Sequence, residues 1–466
     1  MYNVKYNENR GNVIIVQSYE RRKYMVYNFD ANNRYYGIYK AKLRTPEEIA
    51  EYIEDDFVCA CPTCMGEPKT IVHAIGERAR RDEITNVQHH SLLSPGGGDY
   101  LDPELAGKYY HVSWFTTAAS RAGVQEGRFD YMPAHYSQIP YLWREKVARL
   151  DVFYATVSPM DKHGFFSFGL VAAETLAQLE RAKYIFLEVN DQVPRVMGTH
   201  VVHISQVTAL CEASYPMPTL EELPLSENSK RMGAMIAELI PDGATIQFGI
   251  GEVPNAVGKL LLEKKDLGIH TEMFTDSMVD LIEAGAVTNM KKNIDVGKTV
   301  AAFCWGSQRM YDFLDDNRSI ELHGVDYVND PYVIGKLDNF VSINAGLEID
   351  FLGQVCSESI GWKPYSGTGG QLDFVRGSAV SKGGKSFIAM NSTAKGGTIS
   401  KIKPILTPGA AVTTTKNDID NVVTEYGIAR LKGKTAGQRA KALIEIAHPK
   451  FRDELTFEAK KMNLMI

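Results

Sequence analysis

The chain has 466 residues, 44% of them apolar and 23% charged, with a formal net charge of −6. That composition suits a globular protein of two or three domains; its mild acidity argues against a nucleic-acid surface, and no apolar run approaches the ~20 residues of a membrane span. The opening "MYNVKYNENRGNV" lacks the apolar core of a secretory signal, and six cysteines in so long a chain do not make a disulfide scaffold, so we expect a soluble cytoplasmic protein without membrane or nucleic-acid partners.

Residues 1–43 are polar and tyrosine-rich and read as an N-terminal extension. "TPEEIAEYI" then starts a helix, with Thr45 as N-cap, Pro46 at the first helical position and Glu48 closing a capping box. "DDFVCACP" reads as a strand, "EPKTIVHAIGERARR" as an amphipathic helix and "EITNVQHHSLL" as another strand, an alternation that predicts a parallel sheet flanked by helices. Cys59, Cys61 and Cys64 crowd into "CACPTCMGEP", and His89 and His90 follow. Their spacing fits no zinc motif, and small residues in a buried strand and turn are the simpler reading, so no metal is assigned.

The plan recurs in the second half. Asp55, Pro68 and Ile84 can be laid on Asp242, Pro254 and Ile269, the offset drifting from 187 to 185 residues. "SYPMPTLEELPLSENS" (214–229) has three prolines and little periodicity, as a linker should. We therefore expect an α/β protein of two similar open lobes with mainly parallel sheets, spanning 44–216 and 226–466, with the active site between them.

The window "ATIQFGIGEVPNAVGKLLLEKKDLGIHTEMFTD" carries most of the chemistry. Ala244–Phe248 reads as a strand and Gly249–Val253 as a tight turn. Pro254 would open a helix that Gly268 ends as a C-cap. Glycines at a strand-to-helix turn let backbone N–H groups approach an anion, although no third glycine completes a dinucleotide fingerprint. Glu272 falls near the end of the next strand. A carboxylate there is expensive to bury unpaired; it either pairs with an arginine, or sits on an edge strand, or shares a crevice with the glycine turn beyond the carboxyl ends of the strands. A second glycine cluster, "SGTGGQLDFVRGSAVSKGGK" (366–385), is either a flexible loop or a set of N–H groups for an oxyanion. "NSTAKGGTISKI" adds Lys395, suited to phosphate.

These stretches, with "GQVCSESIG", "VVTEYGIARLKGKT", "VSPMDKHGFFSFG" and "FLEVNDQVP", resemble the acetyl-CoA hydrolase/transferase family from about residue 45 onward, its 4-hydroxybutyrate and butyryl-CoA:acetate CoA-transferase branch in particular. The resemblance implies that Glu272 is the active-site glutamate and that Gly249, Ile250, Gly251, Glu252 and Val253 form the turn that contacts coenzyme A. Gly370 would offer a backbone N–H at the reacting carbonyl, Asn329 in "DYVNDPYVI" the amide completing an oxyanion hole, and Lys395 a contact to the coenzyme. It implies a coenzyme A thioester as substrate, no prosthetic group, a short-chain carboxylate as co-substrate and a homodimer or larger assembly. One position departs: the hydroxybutyrate branch has a histidine where Thr63 stands here.

The implied chemistry is covalent. Glu272 attacks the acyl-CoA carbonyl, a glutamyl-CoA thioester follows, and an incoming acid reverses the steps. An acyl-CoA hydrolase, a CoA-binding sensor without turnover and a dinucleotide dehydrogenase are the alternatives, the last lacking its full fingerprint. Other polar residues read as structural: Asp276 as a cap of "SMVDLIEAG", Asp373 as a bond within its own loop, and His270 as a side chain on the strand face away from Glu272. Gln192 is a candidate for the acyl pocket.

Overall fold

The computed structural model describes residues 33–220, 224–249 and 251–465, and the backbone of two paired strands, Val4–Asn7 and Asn12–Ile15. The first lobe is a seven-stranded sheet built from β1 (Val58–Ala60), β2 (Val87–Leu92), β3 (Tyr109–Phe115), β4 (Asp130–Tyr131), β5 (Val152–Val157), β6 (Tyr184–Asn190) and β7 (Ala209–Ala213). Its order is β7-β6-β5-β1-β2-β3-β4, parallel throughout. The second sheet uses β8 (Thr245–Phe248), β9 (Gly268–Phe274), β10 (Thr299–Cys304), β11 (Ile320–Leu322), β12 (Phe340–Ala345), β13 (Lys385–Ala389), β14 (Asn421–Thr424) and β15 (Gly427–Arg430). Its order is β11-β10-β9-β8-β12-β13-β14-β15, with only β15 antiparallel. Read outward from β1 and β8, the two orders coincide, apart from the added edge strand β15.

The likeness extends to single hydrogen bonds. Asp55 accepts the Thr85 N–H at 2.7 Å just before β2, and Asp242 accepts the Lys265 N–H at 2.9 Å just before β9. The next residue in each turn has positive φ, 62° at Asp56 and 75° at Gly243. The hydrogen bonds also correct the alignment further along. The Gln88 N–H reaches Phe57 and the Gly268 N–H reaches Ala244, so Gln88, not Ile84, sets the register of β2 against β9. Pro68 is the N-cap of the helix Lys69–Arg80, whereas Pro254 lies inside the first turn of the helix Glu252–Leu260.

The capping box predicted at Thr45 and Glu48 is present, with both bonds made. Residues 36–42, within the stretch read as an extension, are packed structure, while most of residues 1–32 lies outside the described residues: the helix Tyr36–Lys42 buries Tyr39 among Phe153, Phe166 and Leu210, and the Arg44 N–H binds β7 at Leu210. No helix among the described residues is long and apolar enough to cross a membrane.

The lobes share one apolar core that runs from Ala60, Leu92 and Trp114 through Leu170 and Val171 to Phe303, Phe340 and Val423. Backbone bonds stitch the seam. Residues 170–173 bond to Ala302 and Cys304 on β10, and Met197–Thr199 bond to Leu322 on the β11 edge. The Tyr136 N–H binds the Gly369 carbonyl at 3.0 Å. This seam fixes how the two sheets meet, and the candidate site lies on it.

Candidate active site

Side chains alternate along β9, so His270, Glu272 and Phe274 share one face. The sequence reading put His270 on the opposite face, which that period forbids. The His270 Nε2–H donates to the Val328 carbonyl at 2.8 Å, and Glu272 Oε2 accepts from Asn329 Nδ2 at 2.7 Å. Both thus meet the short helix Val325–Val328 and the residue that caps it. Asn329 is fully buried, and its side chain also favours the ionised form of Asp373. Two carboxylates on one side of an amide leave a single sensible orientation, NH₂ toward both acids; Asn329 Oδ1 is left buried without a partner.

Gly370 closes the site from the other side. It is the N-cap of the helix Gln371–Val380, and its N–H donates to the Glu272 carboxylate. Its φ is −99°, which any residue adopts, so backbone freedom is not what requires glycine. Space is: a Cβ would lie 2.1 Å from both Glu272 Oε2 and Asn329 Nδ2. The helix N-terminus and the two donors favour the ionised carboxylate. Desolvation and the neighbouring Asp373 oppose them and win, lifting the Glu272 pKa to about 7. Asp373 is itself raised to about 7, chiefly by burial. It does not bond within its own loop as expected; it accepts the Ser137 N–H at 3.1 Å and hydroxyl at 2.8 Å across the seam.

The first lobe also holds the glycine loop. Thr116 donates to the Ser366 carbonyl at 3.1 Å, Arg121 to Tyr365 at 2.7 Å and Gln125 to Pro364 at 2.8 Å. A Cβ on Gly367 would sit within 2.9 Å of Phe115 and the Trp114 carbonyl. The cluster is therefore a clamped element, not a flexible loop.

The glycine turn after β8 differs in detail from its expectation. The helix starts at Glu252, with Gly251 as N-cap at φ 138°, and ends at Leu260; Gly268 opens β9 rather than capping the helix. Val253 is buried, and Glu252 spends its carboxylate on Ser226 and Ser229 at 2.6–2.8 Å. Ile250 lies outside the described residues. Gly249 and Gly251 line a cleft with Asn255, Met273, Thr275 and Trp305, and the Trp305 indole N–H is buried without a partner. Met273 and Glu272 point to opposite faces of β9, so turn and carboxylate are neighbours at one sheet edge rather than walls of one cleft. Lys395 is exposed in the hairpin that follows β13, at the same carboxyl-end edge.

Asp276 binds the Ser307 N–H at 2.9 Å and the Ser307 hydroxyl, so it serves the next helix rather than its own. Gln192 is exposed and bonds to Asp191. The cysteines are all buried thiols. Cys61 Sγ lies 3.6 Å from His89 Nε2, and the nearby Glu67 accepts from Tyr100 at 2.5 Å, so each member of that cluster already has a partner.

Sequence reasoning missed a first-lobe set of buried polar groups at the seam. Tyr136 and Ser137 come from "MPAHYSQIPY", whose two prolines mark only a turn. Glu174, in "VAAETLAQLE", looks like any helix-start acid, yet it is 1% exposed and its pKa is lifted to about 7 by burial.

Known proteins place this architecture. Residues 27–220 match the acetyl-CoA hydrolase/transferase N-terminal domain, and residues 306–459 match the C-terminal domain of the same proteins. The chain is 48% identical to the succinyl-CoA:cyclohexane-1-carboxylate CoA transferase of Geobacter metallireducens, over 93% of this chain and 98% of that one. It is 44% identical to the 4-hydroxybutyrate coenzyme A transferase of Clostridium kluyveri, over 91% and 98%. An acetyl-CoA hydrolase of Yarrowia lipolytica is 26% identical over 84% of each chain. Among solved structures, RipA from Yersinia pestis superposes with a TM-score of 0.87 at 40% identity, covering 92% of this chain and 99% of that one.

Proposed function

This chain belongs to the acetyl-CoA hydrolase/transferase family, and from that premise we propose that it moves coenzyme A between a short-chain acyl-CoA and a carboxylate such as acetate, in ping-pong fashion through Glu272. Identities of 48% and 44% to transferases, against 26% to a hydrolase, support transfer over hydrolysis.

The observation that carries the mechanism is the asymmetry of the Glu272 carboxylate. Oε2 is held by Asn329 and lies against the Gly370 backbone, while among the described residues no side chain donates to Oε1. Oε1 attacks the thioester carbonyl, the C–S bond breaks, and coenzyme A leaves as thiolate from a mixed anhydride. The thiolate then attacks the glutamyl carbonyl carbon, and the first acid departs with the anhydride oxygen. In that second step negative charge builds on Oε2, where the Asn329 amide and the Gly370 N–H already stand. Donors fixed in advance at a developing oxyanion are each worth about 10² to 10³ in rate. The incoming acid runs both steps backward. The Gly249–Gly251 turn and Lys395, at the same sheet edge, would hold the coenzyme so that its thiol reaches Glu272 past the end of β8. No step needs a prosthetic group, because one thioester is exchanged for another.

Quenching the enzyme with borohydride after incubation with butyryl-CoA, followed by peptide mass analysis, tests this reading. A reduced adduct at Glu272 is expected; unmodified Glu272 with turnover intact would remove it from the chemistry. Free-thiol release from butyryl-CoA should also require added acetate. Release at the same rate without acetate would make the protein a hydrolase.

A further inference from the structure

The Gly370 N–H belongs to a peptide unit that the second lobe does not hold by itself. The Gly369 carbonyl and the Gly370 N–H are two ends of one planar trans unit and point in opposite directions. The N–H end faces Glu272, where a Cβ on Gly370 would lie 2.1 Å from Oε2. Glycine flanks the unit on both sides, with φ 57° at Gly369 and −99° at Gly370. Glycine meets few steric walls, so hydrogen bonds must keep this unit from turning over. Turned over, it would aim a carbonyl oxygen at the carboxylate instead of a donor.

Those bonds come from the first lobe. The helical turn Tyr136–Gln138 starts after His135, and the first N–H groups of such a turn find no partner within it. Here they cross the seam. His135 bridges to Gly369, and the Tyr136 N–H donates to the Gly369 carbonyl at 3.0 Å, the far end of the donor peptide. The Ser137 N–H and hydroxyl donate to the two oxygens of Asp373 at 3.1 and 2.8 Å. Asp373 lies in the first turn of the helix that Gly370 caps. The loop is therefore gripped on both sides of Gly370, and of the three donors only the Ser137 hydroxyl belongs to a side chain.

We propose that residues 135–137 of the first lobe hold the Gly369–Gly370 peptide with its N–H aimed at the Glu272 carboxylate, and that Ser137 is a positioning residue for the transfer. The second step builds negative charge on Oε2, so a donor that can swing away costs transition-state stabilisation and leaves acyl-CoA binding nearly intact. The seam thus acquires a catalytic purpose: one lobe orients the donor that serves the other lobe's acid. This deepens the reading of Glu272 as nucleophile and rests on it.

The test uses the full-length enzyme at a pH above the acid limb of its activity, with the variants Ser137→Ala, Ser137→Thr, Asp373→Ala and the double variant Ser137→Ala/Asp373→Ala. In Ser137→Ala, kcat for exchange should fall ~10-fold, the rate equivalent of one hydrogen bond, with KM for the acyl-CoA little changed. Ser137→Thr keeps the hydroxyl and should keep the rate. The double variant should be no slower than Asp373→Ala alone, because the two residues act through one contact. An unchanged kcat in Ser137→Ala, a threonine variant as slow as the alanine one, or losses that multiply in the double variant would overturn the proposal. Glu272→Ala, assayed alongside, separates the two readings: exchange surviving in that variant sinks the nucleophile, whereas a dead Glu272→Ala with a fully active Ser137→Ala sinks only the grip.

Discussion

Asn329 donates to Glu272 and also favours the ionised form of Asp373, so one buried amide acts on two acids. Glu272 and Asp373 are both raised to about 7, and the charge of Asp373 is among the causes at Glu272. They titrate as a pair rather than as separate groups. On the proposed mechanism Glu272 must be ionised to attack, so kcat should fall as pH drops through about 7. Asp373→Asn removes a like charge and should move that acid limb to lower pH; a kcat–pH profile with an unmoved limb would mean the two acids do not sense each other. Asn329→Ala should lower kcat by about 10²-fold, more than it weakens coenzyme binding, as read by steady-state kinetics beside a binding isotherm. At this scale the grouping of Glu272, Asn329 and Gly370 was legible, since each sits in a distinctive motif and the structure brings the three together. Tyr136, Thr63 and Glu174 were not. Their hydrogen bonds join residues more than 70 apart in sequence, and nothing local marks a buried acid whose partner is a distant hydroxyl.

The β-α-β units were predicted in kind because alternating apolar periods and one complete capping box announce them. Their boundaries went wrong where glycine and proline were treated as punctuation. Gly268 opens a strand and Pro254 sits inside a helix, since three of the first four helical N–H groups need no intrahelical partner there and a proline costs little. What fixes the unit is the aspartate before each central strand. Asp242 spans to the Lys265 N–H, tying the turn before β8 to the turn before β9. Asp242→Ala should cost about 1 kcal/mol, measured as a lower denaturant midpoint with unchanged slope, and Asp55→Ala should match it if the two turns are equivalent parts.

Among the described residues, buried carboxyls and buried histidines act on stability with opposite signs. Glu67, Glu174, Glu272 and Asp373 are each raised to about 7. Between their unfolded values near 4 and about 7 the folded chain holds more protons than the unfolded one, so they add stability as pH falls through that window. His90, His111 and His270, lowered to about 3, and His200, lowered to about 4, do the reverse. Unfolding lets them take up protons below about 6.5, so they remove stability as pH falls. The two sets oppose each other from about pH 6.5 to 5, and the melting temperature there should change little. A steep acid loss starting near pH 6.5 would show that the carboxyls are ionised in the fold. Within the same window activity should decline, because Glu272 is gaining its proton, so mild acid silences this protein without loosening it.

The matching hydrogen-bond registers of the two sheets carry a last consequence. Counting from Gln88 and Gly268, the first-lobe counterpart of Glu272 is Leu92, a buried leucine on β2. Of the twin cradles only one is armed; its double is blank and filled with hydrocarbon.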